Sequence, residues 1–233
     1  MIGVLAAAWI IARKDLVVEA RSRELAYTTL FFAMACVLVF SFSLVSFRVD
    51  PNGQVPPDTP AGILWVAIAF SGSLALGRAF ERERQAETLR ALLLAPVERA
   101  SVYLGKLFSL LVLMAGVEIV LVPVVGLLFG ARIGEAPLIL VSLLAAGTLG
   151  FAAVGTLLAA MLVRAHSRDV LLPILLYPIS VPVILGGVRG TAALFAAEPD
   201  VASAQSWLAM LVFFDAVFVT LALWMFGPVM GEQ

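Results

Sequence analysis

Apolar positions along the chain gather into six long runs with hardly a charge in them, at 25–47, 61–77, 107–129, 138–163, 170–188 and 207–226. A bilayer's hydrocarbon core of about 30 Å takes about 20 apolar residues of helix, so each run predicts a membrane span. The run at 61–77 is short, with room to extend through Ala79 and Phe80. The run at 170–188 holds Pro173, Pro178 and Pro182. Each proline removes a backbone donor, which predicts a kinked or broken span buried against its neighbours. The expected fold class is all-α: one polytopic transmembrane domain over 1–233.

Between the runs the pattern changes. Leu5, Trp9, Ala12, Leu16 and Ala20 fall on one helical stripe, so residues 1–24 are expected to form an interfacial helix leading into the first span. Charges follow this apolar stretch instead of preceding it, unlike a signal peptide. Arg13, Lys14, Arg21, Arg23, Arg78, Arg82, Arg84, Arg90, Arg99, Lys106, Arg164 and Arg168 share one side, against Arg48, Arg132 and Arg189 on the other. That asymmetry places both termini in the cytoplasm. On the outer side, 48–60 reads as a Pro/Gly/Asp-rich loop. The stretch TAALFAA at 191–197, within the outer segment 189–206, predicts a short helix resting on or re-entering the outer leaflet.

Composition agrees with a lipid solvent. Of 233 residues, 62% are hydrophobic and 13% charged, against roughly 45–50% and about 25% in soluble domains. A net charge of −1 argues against nucleic acid as a partner. The single cysteine, Cys36, and single histidine, His166, exclude a disulfide within the chain, a thiolate metal cage and any site needing two histidines. The longest piece between runs, 78–106, is too short for an independent catalytic domain. Ala100–Lys106, ASVYLGK, falls one residue short of a phosphate-binding loop, and Leu107 stands where such a loop needs Ser or Thr. Ser71–Gly72 has no histidine within the spans to activate a serine. No catalytic residue is expected.

Two ionisable residues lie near the centres of apolar runs, Glu118 in the third and Asp215 in the sixth. Each costs roughly 2.5–3.5 kcal/mol on insertion scales, so each needs a reason to be there. They are candidates for an intramembrane polar path or a subunit contact; the plainer alternative is a hydrogen-bonded tie between helices. Ser142, Ala146 and Gly150 make a small-residue stripe suited to close helix packing. His166 reads as a solvated loop residue and Cys36 as a packing residue. Spacing does not select either of them, or Tyr177 or Met161, as a haem contact.

The 78–106 segment reads RAFERERQAETLRALLLAPVERASVYLGK. Glu81, Arg82, Glu83, Arg84 and Glu87 form a charged half, followed by Leu89, Leu92, Leu93 and Leu94 before Pro96. Leucines beside charges at a membrane surface suit the docking of a soluble partner. Arg82-Glu83, Glu87-Thr88-Leu89, Leu92-Leu93, Pro96, Arg99 and Gly105-Lys106 resemble the coupling loop of bacterial type-2 ABC exporter membrane subunits. With the length, the six runs, ARKDLVVEARSRE at 12–24 and LLYPISVPVILGGV at 175–188, the whole chain resembles the haem-exporter B family of cytochrome c maturation. It departs from that pattern at Ala86-Glu87 and at Arg90, where Gly and Glu are usual.

The resemblance implies a non-catalytic permease subunit of the bacterial cytoplasmic (inner) membrane, acting in haem delivery for c-type cytochromes. It implies a cytoplasmic ABC ATPase as partner, with Glu83, Glu87, Thr88, Leu89, Leu92, Leu93 and Pro96 as the coupling residues. Haem-handling and small membrane subunits and a second copy of the chain are expected alongside. No cofactor is expected on this chain alone, haem belonging to the complex. The alternatives are an exporter of another substrate and an ion-coupled carrier using Glu118 and Asp215.

Overall fold

The computed structural model describes residues 3–45, 55–85, 98–162, 165 and 167–231. They form seven α-helices: α1 (Val4–Ser22), α2 (Glu24–Val45), α3 (Asp58–Gln85), α4 (Arg99–Phe129), α5 (Pro137–Met161), α6 (Arg168–Phe195) and α7 (Val201–Gly231). No strand occurs among the described residues. α2 to α7 each contain a stretch long and apolar enough to cross a bilayer, which makes the chain a multi-pass membrane protein.

Every predicted span coincides with a helix, but several boundaries move. The second extends from Asp58 to Gln85, so the charged residues 78–85 continue the span instead of opening a separate loop helix. The third begins at Arg99; its 31 residues reach about 46 Å, longer than the hydrocarbon core is thick. The fifth, expected to be kinked or broken, is continuous from Arg168 to Phe195, so the break does not occur. Its packed face runs through Leu172, Leu176, Ser180 and Val183, whereas Pro178 and Pro182 lie on its exposed face. The expected outer-leaflet helix at 191–197 is also corrected: Thr191–Phe195 is the last turn of α6, and α7 starts at Val201.

The helices are arranged around α5. It packs against α3, α4, α6 and α7, while α2 packs on α3 and α4, and α1 on α4. In their most apolar stretches 67% of α3 and α5 is buried, against 22% of α2 and α7, so the former make the interior and the latter the lipid-facing flanks. Lipid tails are as apolar as leucine, so helices in a bilayer associate through close packing and internal hydrogen bonds, not through expulsion of water. Small residues on α5 allow that approach. Ala146, Gly147, Gly150 and Gly155 are buried, whereas Ser142 is exposed and turns its hydroxyl back to the Leu138 carbonyl at 2.7 Å.

The closest approach surrounds Trp65 of α3, which is 1% exposed. Its ring lies where Cβ atoms would stand on Gly147 of α5 and Gly187 of α6, so the two glycines form a slot that no larger residue leaves open. At the edge of the slot the indole Nε1 donates to Thr191 Oγ1 of α6 at 3.0 Å, satisfying the ring's only polar atom. Nearby, Arg189 of α6 faces Asp58 of α3 at 3.4 Å. The start of α3 thus meets the end of α6, and the two run antiparallel.

Trp65→Ala is expected to cost about 3–5 kcal/mol, the range for removing a buried large aromatic. Gly147→Ala should also destabilise, because its Cβ meets the ring. The double variant should be less destabilised than the sum of the singles, since the methyl enters the vacated slot. Thermal unfolding of the four proteins in one detergent checks this; simple additivity would contradict the slot.

Candidate functional site

α1 is held to the bundle by its small residues. Ala7, Ala8, Ile11 and Ala12 are buried, whereas Leu5, Trp9, Ile10, Val17 and Val18 are exposed. The packed face is therefore rotated from the Leu5-Trp9 stripe expected from sequence, and only Ala12 of that stripe is fully buried. The reason lies on α4. A Cβ on Gly105 would stand 2.8 Å from the Ala8 carbonyl oxygen and 2.9 Å from Ile11, so α1 backbone comes close to α4 backbone there and Gly105 leaves the room that Ile11 takes.

One residue further along, Lys106 Nζ donates to Asp15 Oδ2 at 2.6 Å. The lysine is only 6% exposed and the aspartate 20%, so this is a largely buried ion pair closing the α1–α4 contact. Sequence reasoning placed Lys106 at the end of the coupling motif and missed Asp15 altogether. The available signal was an ammonium at the head of a 23-residue apolar run, which in lipid demands a carboxylate partner. α1 is also joined, over a much smaller contact, to the next helix. Arg23 adopts a left-handed conformation (φ 54°), turning the chain sharply between α1 and α2, and Glu19 Oε1 accepts the Ala26 backbone N–H at 2.7 Å in the first turn of α2. A carboxylate at a helix N-terminus satisfies an orphan donor and complements the helix dipole.

α3 and α4 end on either side of residues 86–97, which lie outside the described residues. So do Glu87, Thr88, Leu89, Leu92, Leu93 and Pro96, and also His166. Glu83 belongs to the final turns of α3. The structure thus brings one end of three helices together: the C-terminus of α3, the N-terminus of α4, and α1 clasped to α4.

The intramembrane carboxylates do not share a site. Glu118 of α4 is 7% exposed and accepts a hydrogen bond from the Thr148 hydroxyl of α5. Asp215 of α7 is 6% exposed and lies against Gly150 of α5, where a Cβ would approach its Oδ1 to 2.5 Å. Thr148 and Gly150 are two residues apart, about 200° around the helix, so the carboxylates approach α5 from different sides. Asp215 Oδ1 has no hydrogen-bond partner among the described residues. Both residues are interior. Cys36 is half-buried on α2. Among the described residues no three His, Cys, Asp or Glu side chains are grouped to hold a metal ion.

Six spans around a small-residue core, with an N-terminal helix clasped to the span that follows residues 86–97, fit a membrane subunit of the permease type. The model of the CcmB protein family matches residues 6–230, nearly the whole chain. The protein belongs to that family, the haem-exporter B proteins of cytochrome c maturation, and is a membrane subunit of an ABC-type haem-export complex. A comparison with curated proteins gives no match.

Two substitutions probe these contacts. Thr148→Val should destabilise by about 1–3 kcal/mol, because it leaves a buried carboxyl group without its donor; Glu118→Leu in the same chain should recover part of that loss. Lys106→Met should loosen α1 by removing the buried partner of Asp15 and leaving it the more exposed Lys14 at 3.1 Å, at a cost below the about 3–5 kcal/mol found for fully broken buried pairs. Faster proteolysis within 4–22, with the remaining helices still protected, is the expected reading.

Proposed function

We propose that this chain is the permease subunit through which a cytoplasmic ATPase works on the membrane part of the haem exporter, with residues 86–97 as the docking element. One observation carries the reading: α3 runs on as a helix past its apolar stretch to Gln85 and α4 begins at Arg99, so the two helices flank that segment. A helix resists bending over a few turns, so displacement of the segment acts on the ends of two spans at once. The Lys106–Asp15 pair and the Gly105 contact carry the same displacement to α1, and the Glu19 cap carries it to α2. Four of the seven helices are thereby mechanically connected to the docking element without any chemistry in this chain.

In this reading Glu83, Glu87, Thr88, Leu89, Leu92, Leu93 and Pro96 form the ATPase contact. The charged half orients the partner, and the leucines supply the apolar anchor that dominates binding energy at interfaces. ATP is hydrolysed in the partner, and both termini and the docking segment lie in the cytoplasm of a bacterium whose inner membrane holds the complex. α1 lies along the inner surface of that membrane with Trp9, Val17 and Val18 toward lipid. Haem is the cargo of the assembled complex, with haem-handling and small membrane subunits, and a second copy of this chain, completing the core. Glu118 and Asp215 act as interior polar contacts of α5, a role supported by their burial and by their approach from different sides of that helix.

The test is a Glu87→Arg, Leu93→Asp double variant in the intact complex. It should reach the membrane at the normal level and keep its fold. ATP turnover by the partner should continue, while the yield of haem-loaded c-type cytochrome falls more than tenfold. Normal cytochrome yield would overturn the docking assignment.

A further inference from the structure

Tyr103 lies in the second turn of α4, just past residues 86–97, and is 0% exposed. Its hydroxyl donates to the backbone carbonyl of Ala153 on α5 at 3.1 Å. Its ring packs against Phe226 of α7, with centroids 5.5 Å apart and the planes tilted by 52°. Ala153 and Phe226 are themselves buried, so both contacts are shut away from lipid and water. Gly105 follows two residues later, about 200° around the helix. The start of α4 is therefore gripped on two sides, by α1 at Gly105 and by α5 and α7 at Tyr103.

Packing alone asks for no hydroxyl at this place. Phenylalanine would fill the same space and spare the desolvation of an O–H group. What the hydroxyl adds is direction, because a hydrogen bond weakens steeply as its angle departs from linear, whereas apolar contacts tolerate rotation. Its acceptor is a carbonyl inside α5, whose second lone pair is open to a side chain while the first serves the helix ladder. The bond thus ties the rotation of α4 to the backbone of α5 without interrupting either helix. Ala153 lies six residues from Gly147, about 9 Å along α5, so the tie reaches the helix that forms the Trp65 slot.

We propose that Tyr103 is a positioning residue of the export cycle: it carries displacement of the α4 N-terminus into α5 through its hydroxyl and into α7 through its ring. This role rests on residues 86–97 being the docking element. With it, six of the seven helices respond to the partner ATPase instead of four.

The test is hydrogen–deuterium exchange on the intact complex, with and without ATP and vanadate to trap the ATPase. In the wild-type complex, trapping should change exchange in 99–106, 150–157 and 222–226. Tyr103→Phe keeps the ring, so the change should persist in 99–106 and 222–226 but shrink at least fivefold in 150–157. Its melting temperature and its exchange before nucleotide should match wild type, while the yield of haem-loaded cytochrome falls. Phe226→Leu leaves the hydroxyl bond in place and should lose the change in 222–226 alone, which keeps the role open to test if Tyr103→Phe does not fold. An undiminished change in 150–157 of Tyr103→Phe overturns the proposal. So does a lowered melting temperature with faster exchange before nucleotide, the behaviour of a residue that only packs. Absence of any change in 99–106 of the wild-type complex is the separate result that overturns the docking role, and this one with it.

Discussion

The bundle depends on the slot that holds Trp65. In water a tryptophan can be buried by hydrophobic pressure alone, but in a bilayer that pressure is absent, and helices stay together only where their surfaces fit. Here the fit comes from two glycines on different helices. Gly147 of α5 and Gly187 of α6 bring both backbones against one ring, and Thr191 takes its single donor. Three of the six spans are fixed to one another at that point. The other interior contacts of α5 follow the same logic, small residue against large side chain: Gly155 against Leu76, and Gly150 against Val183 and Phe214.

At the opposite end of the molecule the constraint is ionic. α1 contains two apolar faces, and composition alone does not say which one docks. The close approach at Gly105 and the pair between Lys106 and Asp15 select the alanine face, leaving Trp9, Val17 and Val18 outward. A buried ion pair contributes little net stability once desolvation is counted, yet it tolerates only one register. Its value here is positional. It holds α1 in a fixed place on the helix that follows residues 86–97.

The intramembrane carboxylates show how burial alters a functional reading. Two acids centred in apolar runs suggest a shared polar path. The structure puts one against Thr148 and the other against Gly150, on different sides of a single helix. Sequence distance could not reveal this, because position along a span says nothing of its rotation about its axis. Thr148 and Asp15 were invisible for the same reason: each matters only through a partner 30 or 91 residues away.

The sequence alone determined the number of spans, their approximate ends, the charge asymmetry and the family, because bilayer thickness imposes a length and an apolar composition that can be read locally. For the proline-rich span, read from sequence as kinked or broken, the tertiary structure keeps one continuous helix with Pro178 and Pro182 on its exposed face. Which face of α1 docks, which glycines form the slot and how the carboxylates are partnered were decided only by tertiary structure. Those are matters of helix rotation and register, and in lipid they are set by the fit between distant side chains, which no local pattern encodes.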